Sequence, residues 1–215
     1  INDLHFINNI KNSLLIALTT TVIAIIISAM AAYGIVRFFP KLGAIMSRLL
    51  VITYIFPPIL LAIPYSIAIA KVGLTNSLIG LMIVYLSFSV PYAVWLLVGF
   101  FQTVPIGIEE AAKIDGANKW QTLKNVTIPM VMPSITICLF LTLSNSFKLF
   151  DQNLALTNGA PMHNTEMLAL NIVNSFYGRV GFEGVGQAKA VMFFVIVACI
   201  ALAQLYYTRN KEVEQ

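Results

Sequence analysis

Five stretches of this sequence are each apolar over about the ~20 residues a helix needs to cross a hydrocarbon core. They run roughly from Ser13 to Val36, Leu49 to Ala70, Asn76 to Phe101, Met130 to Phe150 and Val185 to Tyr207. A chain of 215 residues with 59% hydrophobic and 10% charged side chains, and a mean hydropathy of +0.85, has too little polar surface to cover itself in water. The expected fold is an all-α integral membrane protein of one transmembrane domain, spans 13–36, 49–70, 76–101, 130–150 and 185–207, with no sizeable soluble domain. Its surroundings are lipid, and the cell membrane of a prokaryote is the expected location.

The second run contains Pro57, Pro58 and Pro64 and the third contains Pro91. Each proline removes a backbone donor, so both runs are expected to kink and to line a protein interior or a wet cavity. Prolines are also frequent in spanning helices that line nothing, which leaves that alternative open.

Lysine and arginine set the orientation. With 37–48 and 103–125 inside, Arg37, Lys41, Arg48, Lys113, Lys119, Lys124, Arg209 and Lys211 are cytoplasmic, against Lys11, Lys71, Lys148, Arg179 and Lys189 outside or at the outer interface. This puts the segment 102–127 in the cytoplasm, 151–184 outside, and the amino terminus outside. Such an arrangement is reached with one further helix upstream of Ile1, so the sequence predicts a six-helix bundle whose first helix precedes it. The 12 amino-terminal residues lack the basic region of a signal peptide.

The net charge of +4 is spread over loops and helix ends rather than gathered with aromatics, which argues against nucleic acid. Cys138 and Cys199 lie in apolar runs as small hydrophobes rather than a disulfide framework. His5 and His163 have no ligand-spaced partners, so neither a metal nor a cofactor is expected. The absence of a Walker-type phosphate loop leaves nucleotide chemistry to another chain. An ion-coupled transporter would need carboxylates at mid-span, and a membrane enzyme a nucleophile–base pair, paired acids or a metal cluster. None of the nine acidic residues lies at a span centre, and no such constellation is present.

Within 102–127, Pro105 to Gly116 reads as a short helix, with Thr103 as its cap and Gly116 in the left-handed position past its end. Ile108, Ala111, Ala112 and Asp115 share one smooth face. A second amphipathic segment follows, with Trp120, Leu123 and Thr127 on one side and Lys119, Lys124 and Asn125 on the other.

Glu110-Ala111-Ala112, three residues, Gly116, nine residues, and Val126-Thr127-Ile128-Pro129 resemble the signature loop of binding-protein-dependent permeases of ATP-binding-cassette importers. Val126 and Ile128 stand for the family's isoleucine and leucine. The resemblance implies a coupling helix that fits a cleft of an ATPase subunit: Glu110 makes the polar contact, Ala111 and Ala112 enter the cleft, Gly116 turns the chain and Pro129 starts the next span. Glu109 and Asp115 are counted with this coupling set.

Ser144 to Asp151, followed by Leu156-Thr157-Asn158-Gly159-Ala160-Pro161, resembles the carbohydrate branch of that family, the maltose-type subunits in particular; Ala160 stands for a glycine. The resemblance implies alternating access driven by an ATPase dimer, beside a second homologous permease and an extracytoplasmic solute-binding protein, with a sugar as substrate and no enzymatic activity in this chain. A permease of the same superfamily for a non-sugar solute is the alternative.

Asn145 and Ser146, which donate and accept, and Tyr54, Tyr85 and Trp95, which offer faces to a sugar ring, are the expected path residues. Each also reads as interhelical glue or an interface anchor. Lys148 and Asp151, three apart, are expected to pair, and Gly178 to Gly186 to face the binding protein or serve as a plain connector. An Ala111→Cys substitution is expected to react with a membrane-impermeant thiol reagent in inside-out vesicles and to stay unlabelled in intact cells.

Overall fold

The computed structural model of the chain describes residues 5–55, 57–178 and 180–209; the side chains at 40, 42, 44, 47, 51, 53, 54, 58 and 59 also lie outside the description. The described elements are helical. Helix α1 (Phe6–Arg37) is followed by α2 (Pro40–Ile55), a 3-10 turn (Pro58–Leu61), α3 (Ala62–Lys71) and α4 (Leu78–Phe101). Then come α5 (Ile106–Ile114), α6 (Lys119–Thr122), a π turn (Leu123–Thr127) and α7 (Ile128–Phe147). The chain continues through α8 (Asp151–Leu156), α9 (Leu168–Tyr177) and α10 (Glu183–Arg209).

Four of these stretches are long and apolar enough to cross a membrane: Phe6–Arg37, Leu78–Phe101, Lys119–Phe147 and Glu183–Arg209. The expected second span is therefore not one helix. Consecutive prolines at 57 and 58 remove two backbone donors, and a residue ahead of a proline is steered out of helical geometry. The result is α2 and α3 joined at a break rather than a kinked rod. Pro91, by contrast, lies inside an unbroken α4.

Helix α1 is the spine. Its buried face carries Ser13, Ala17, Thr20, Thr21, Ala24, Ser28 and Ala32. Small side chains at helical spacing let backbones approach closely, the main source of helix association in lipid. Against this face pack α4 and α7. Toward the α5 end of the bundle the core is Ile25, Ala93, Val94, Leu97, Phe101 and Val131; toward the α8 end it is Ile16, Leu81, Tyr85, Leu149 and Met167. Helix α10 lies at the periphery, its Phe193, Val197 and Ile200 closing over Ala17, Leu143 and Phe147 while Phe194 and Leu202 stay exposed.

The stretch 151–176 is a packed cap rather than an open loop, while 180–184 is exposed. Asn153 is fully buried: its amide donates to the Thr165 carbonyl and Thr157 Oγ1, both at 2.8 Å, and its Oδ1 accepts from Met167 N at 2.8 Å. Glu166, 1% exposed, accepts from the amides of Asn9, Asn171 and Asn174 at 3.3, 3.1 and 2.9 Å, and His163 Nδ1 lies 3.0 Å away. Lys189, expected at the outer surface, is 3% exposed and donates to Asn171 Oδ1 at 2.6 Å and Ser175 Oγ at 2.7 Å. The Asn171 amide thus bridges a buried ammonium to a buried carboxylate. Helix α1 also starts earlier than its apolar run because Asn9, Asn12 and Ser13 are tied into this cap, Asn12 through the carbonyls of Asn164 and Glu166 and Ser13 by accepting from Leu168 N.

Removing one charge of such a set strands the other, at a cost of about 3–5 kcal/mol. Glu166→Ala is expected to lower the thermal unfolding midpoint in detergent clearly. The double Glu166→Gln/Lys189→Met variant, which removes both charges, is expected to lose less than either single change.

Candidate functional site

Two places stand out, a helical hairpin at one end of the bundle and a cavity near the other. In the hairpin, α5 starts after Pro105, which is extended and offers no side-chain cap. Thr103 does not cap it, since its hydroxyl donates to the Phe100 carbonyl at 2.7 Å. The helix ends at Gly116, whose φ of +90° favours glycine, with Gly116 N donating to Lys113 O (3.1 Å) and Ala117 N to Ala112 O (2.9 Å). A reciprocal box then restarts the helix: Gln121 N donates to Asn118 Oδ1 and Asn118 N to Gln121 Oε1, at 2.9 and 2.8 Å.

On this hairpin Glu110, Ala111 and Asp115 are exposed and Ala112 is half-buried, with Ile108, Ile114 and Trp120 as exposed apolar neighbours. A projecting helix that presents small and apolar side chains to solvent is a surface shaped for a partner. Glu109 points the other way. It is 3% exposed, its Oε1 accepting from Arg37 Nε at 2.9 Å and from Thr127 Oγ1 at 3.0 Å, while Arg37 Nη2 donates to the Val104 carbonyl at 3.0 Å. Glu109, counted from the sequence with the exposed set, therefore faces the protein's own interior instead. Lys119 Nζ adds a contact 5.8 Å from the centroid of the Phe38 ring.

The π turn changes the second segment. One extra residue in the turn rotates everything that follows, so Trp120 is 68% exposed while Thr127 is fully buried. The shared face expected for Trp120, Leu123 and Thr127 is not formed.

The cavity, about 210 Å³, lies between α4 and the α7–α8 corner. Asn145 and Tyr85 both line it. Ser146 stands behind the wall, fully buried, donating to the Thr142 carbonyl at 2.7 Å and lying 3.0 Å from Tyr85 Oη and 3.1 Å from Thr21 Oγ1. It ties α1, α4 and α7 together. Trp95 is half-exposed on a separate cavity of about 540 Å³ toward the α5 end, together with Arg48, Gln102 and Thr103. The Tyr54 side chain lies outside the described residues.

Lys148 and Asp151 both line the smaller cavity, and the ion pair expected between them is not formed. Ser89, Tyr92, Thr142 and Gln152 also contribute to its wall and were not singled out from the sequence. Part of that stripe was readable: Tyr85, Ser89 and Tyr92 are spaced four and seven apart, one face of a helix. Amide, hydroxyl, phenol, ammonium and carboxylate groups beside aromatic rings suit a solute rich in hydroxyl groups.

The family model described as the binding-protein-dependent transport system inner membrane component matches residues 6–212. The probable starch degradation products transport system permease protein AmyD of Thermoanaerobacterium thermosulfurigenes is 47% identical over 135 residues, covering 63% of this chain and 46% of that protein. The chain thus spans about half the length of several of the curated relatives it matches. Among solved structures, a bacterial ABC transporter involved in the import of the acidic polysaccharide alginate superposes with a TM-score of 0.78 at 15% identity, over 96% of this chain and 79% of that one. The methionine transporter MetNI, in an inward-facing conformation, superposes with a TM-score of 0.77 at 17% identity, over 97% and 96%. At these identities the structures establish the shared fold alone. With spanning helices of the right length and a family match over nearly all its residues, the chain belongs to the binding-protein-dependent transport system inner membrane component family, as a multi-pass protein of the cell membrane.

Proposed function

We propose that this chain is the membrane-spanning permease subunit of an ATP-driven importer that moves a sugar or oligosaccharide by alternating access. ATP hydrolysis belongs to a separate ATPase dimer that docks on α5 from the cytoplasm. A second homologous permease completes the pore, and an extracytoplasmic solute-binding protein delivers the substrate. The observation that carries this reading is the projecting α5 face of Glu110, Ala111 and Asp115, exposed while the opposite side of the same helix is locked to the bundle. The starch-related relative supports a sugar, and Asn145, Tyr85, Tyr92 and Gln152 around one cavity are suited to hydroxyl groups.

The second reading, a non-sugar solute, is favoured by one observation: Lys148 and Asp151 line that cavity without pairing, a combination that also suits a zwitterion. Uptake of radiolabelled oligosaccharides, monosaccharides and amino acids into cells carrying the intact transporter separates the two.

Glu110→Ala is expected to abolish co-purification of the ATPase without crosslinking, whereas a complex of the unaltered chain that contains no ATPase refutes the assignment. Asn145→Ala is expected to lower uptake by roughly tenfold, the loss of one or two hydrogen bonds to substrate, while the ATPase still co-purifies.

A further inference from the structure

We propose that Arg37, Glu109 and Thr127 form the joint through which movement of α5 is passed to α1 and α7, with Glu109 as its positioning residue. The inference rests on the reading of α5 as the docking element and specifies how that element is geared to the bundle.

Helix α5 has nine residues, too short to be rigid alone, and is joined to the rest of the chain by turns at both ends. It packs on α6 and the π turn that follow it. The side chain that ties it to the long spine is Glu109, and the tie is desolvated, with 8% of the Arg37 and 4% of the Glu109 side chain exposed. An exposed ion pair is loose and screened, whereas one held out of water by several partners has a fixed geometry. The Arg37 guanidinium fork is divided between two targets: Nε donates to Glu109 on the helix, and Nη2 to the Val104 carbonyl just before it. One rigid planar group thus holds both α5 and the backbone that enters it.

Each partner sits at an end. Arg37 is the last residue of the 32-residue α1, and Thr127 closes the π turn that leads into α7. A displacement of α5 therefore acts on the tips of two long helices, where a small shift gives the largest tilt. The sharing of one Glu109 oxygen by Arg37 and Thr127 makes the two helix ends move together.

The test uses the complete transporter, with partner permease, ATPase and binding protein, in proteoliposomes, and reads ATP hydrolysed per substrate imported. In Glu109→Gln and Arg37→Met the ATPase is expected to co-purify and hydrolysis to continue, with the ratio of ATP to substrate rising about tenfold. Arg37→Lys, which keeps the charge but not the fork, is expected to fall between. An unchanged ratio, or a proportional fall of hydrolysis and import together, overturns the joint. Loss of the ATPase in Glu109→Gln alone also overturns it, because Glu109 would then be a docking residue. Absence of the ATPase from the unaltered complex overturns the docking reading and the joint with it.

A second variant guards against misfolding. Arg37→Cys/Glu109→Cys, with Cys138 and Cys199 replaced by serine, is expected to be uncoupled as made and to recover coupling when a short bifunctional thiol reagent bridges the two positions. Failure of the bridged protein to recover overturns the proposal.

Discussion

In hydrocarbon no water is available to satisfy a backbone amide, so every donor and acceptor must be matched within the protein. The described elements accordingly are helices, and each departure from regular helix has an identifiable cause or compensation. At Pro57 and Pro58 the chain breaks into two helices. At the π turn the Thr127 hydroxyl finds Glu109. Along α1 and α7, serine and threonine hydroxyls turn back onto carbonyls or onto one another, as Thr21 does with Ser146, so small polar residues sit in the core; the buried Thr142 Oγ1, which has no hydrogen-bond partner among the described residues, is an exception.

Charge follows the same constraint in a stricter form. Arg37 with Glu109 at one end of the bundle, and Glu166 with Lys189 through Asn171 at the other, are both buried and both surrounded by partners. Isolated, any of the four would carry a desolvation cost of several kcal/mol. The two sets differ in character: one is a direct ion pair that joins three elements, the other a relay through an amide that fastens a cap to the first and last helices. The cavity beside α4 opens toward the cap end, at the α7–α8 corner, where Lys148 and Asp151 share its wall with Asn145 and Tyr85.

The apolar runs, the glycine that ends α5 and the exposed Ala111 on that helix were legible because each belongs to a local pattern of three to twenty residues. What stayed hidden depends on pairing across long separations. Glu109 reads as one more acid on a helix until Arg37, 72 positions earlier, is beside it. Glu166 and Asn9 are 157 apart, and Lys189 gives no sign in sequence that it turns inward. The face assigned to Trp120 and Thr127 failed for a different reason, because ordinary helical spacing was assumed across a turn with an extra residue. Lys148 and Asp151 show the limit of spacing rules: three apart, they fall on either side of the α7–α8 corner, where helical neighbourhood no longer applies.

The length of α1 has one more consequence. Its 32 residues give a rod of about 48 Å, longer than the roughly 30 Å of a hydrocarbon core, and it is fastened at both extremities. Such a rod does not shorten to suit a thinner bilayer; it leans, or the lipid around it thickens. Leaning swings its two tips in opposite directions, so bilayer thickness is mechanically geared to the angle at which the Arg37 tip meets α5.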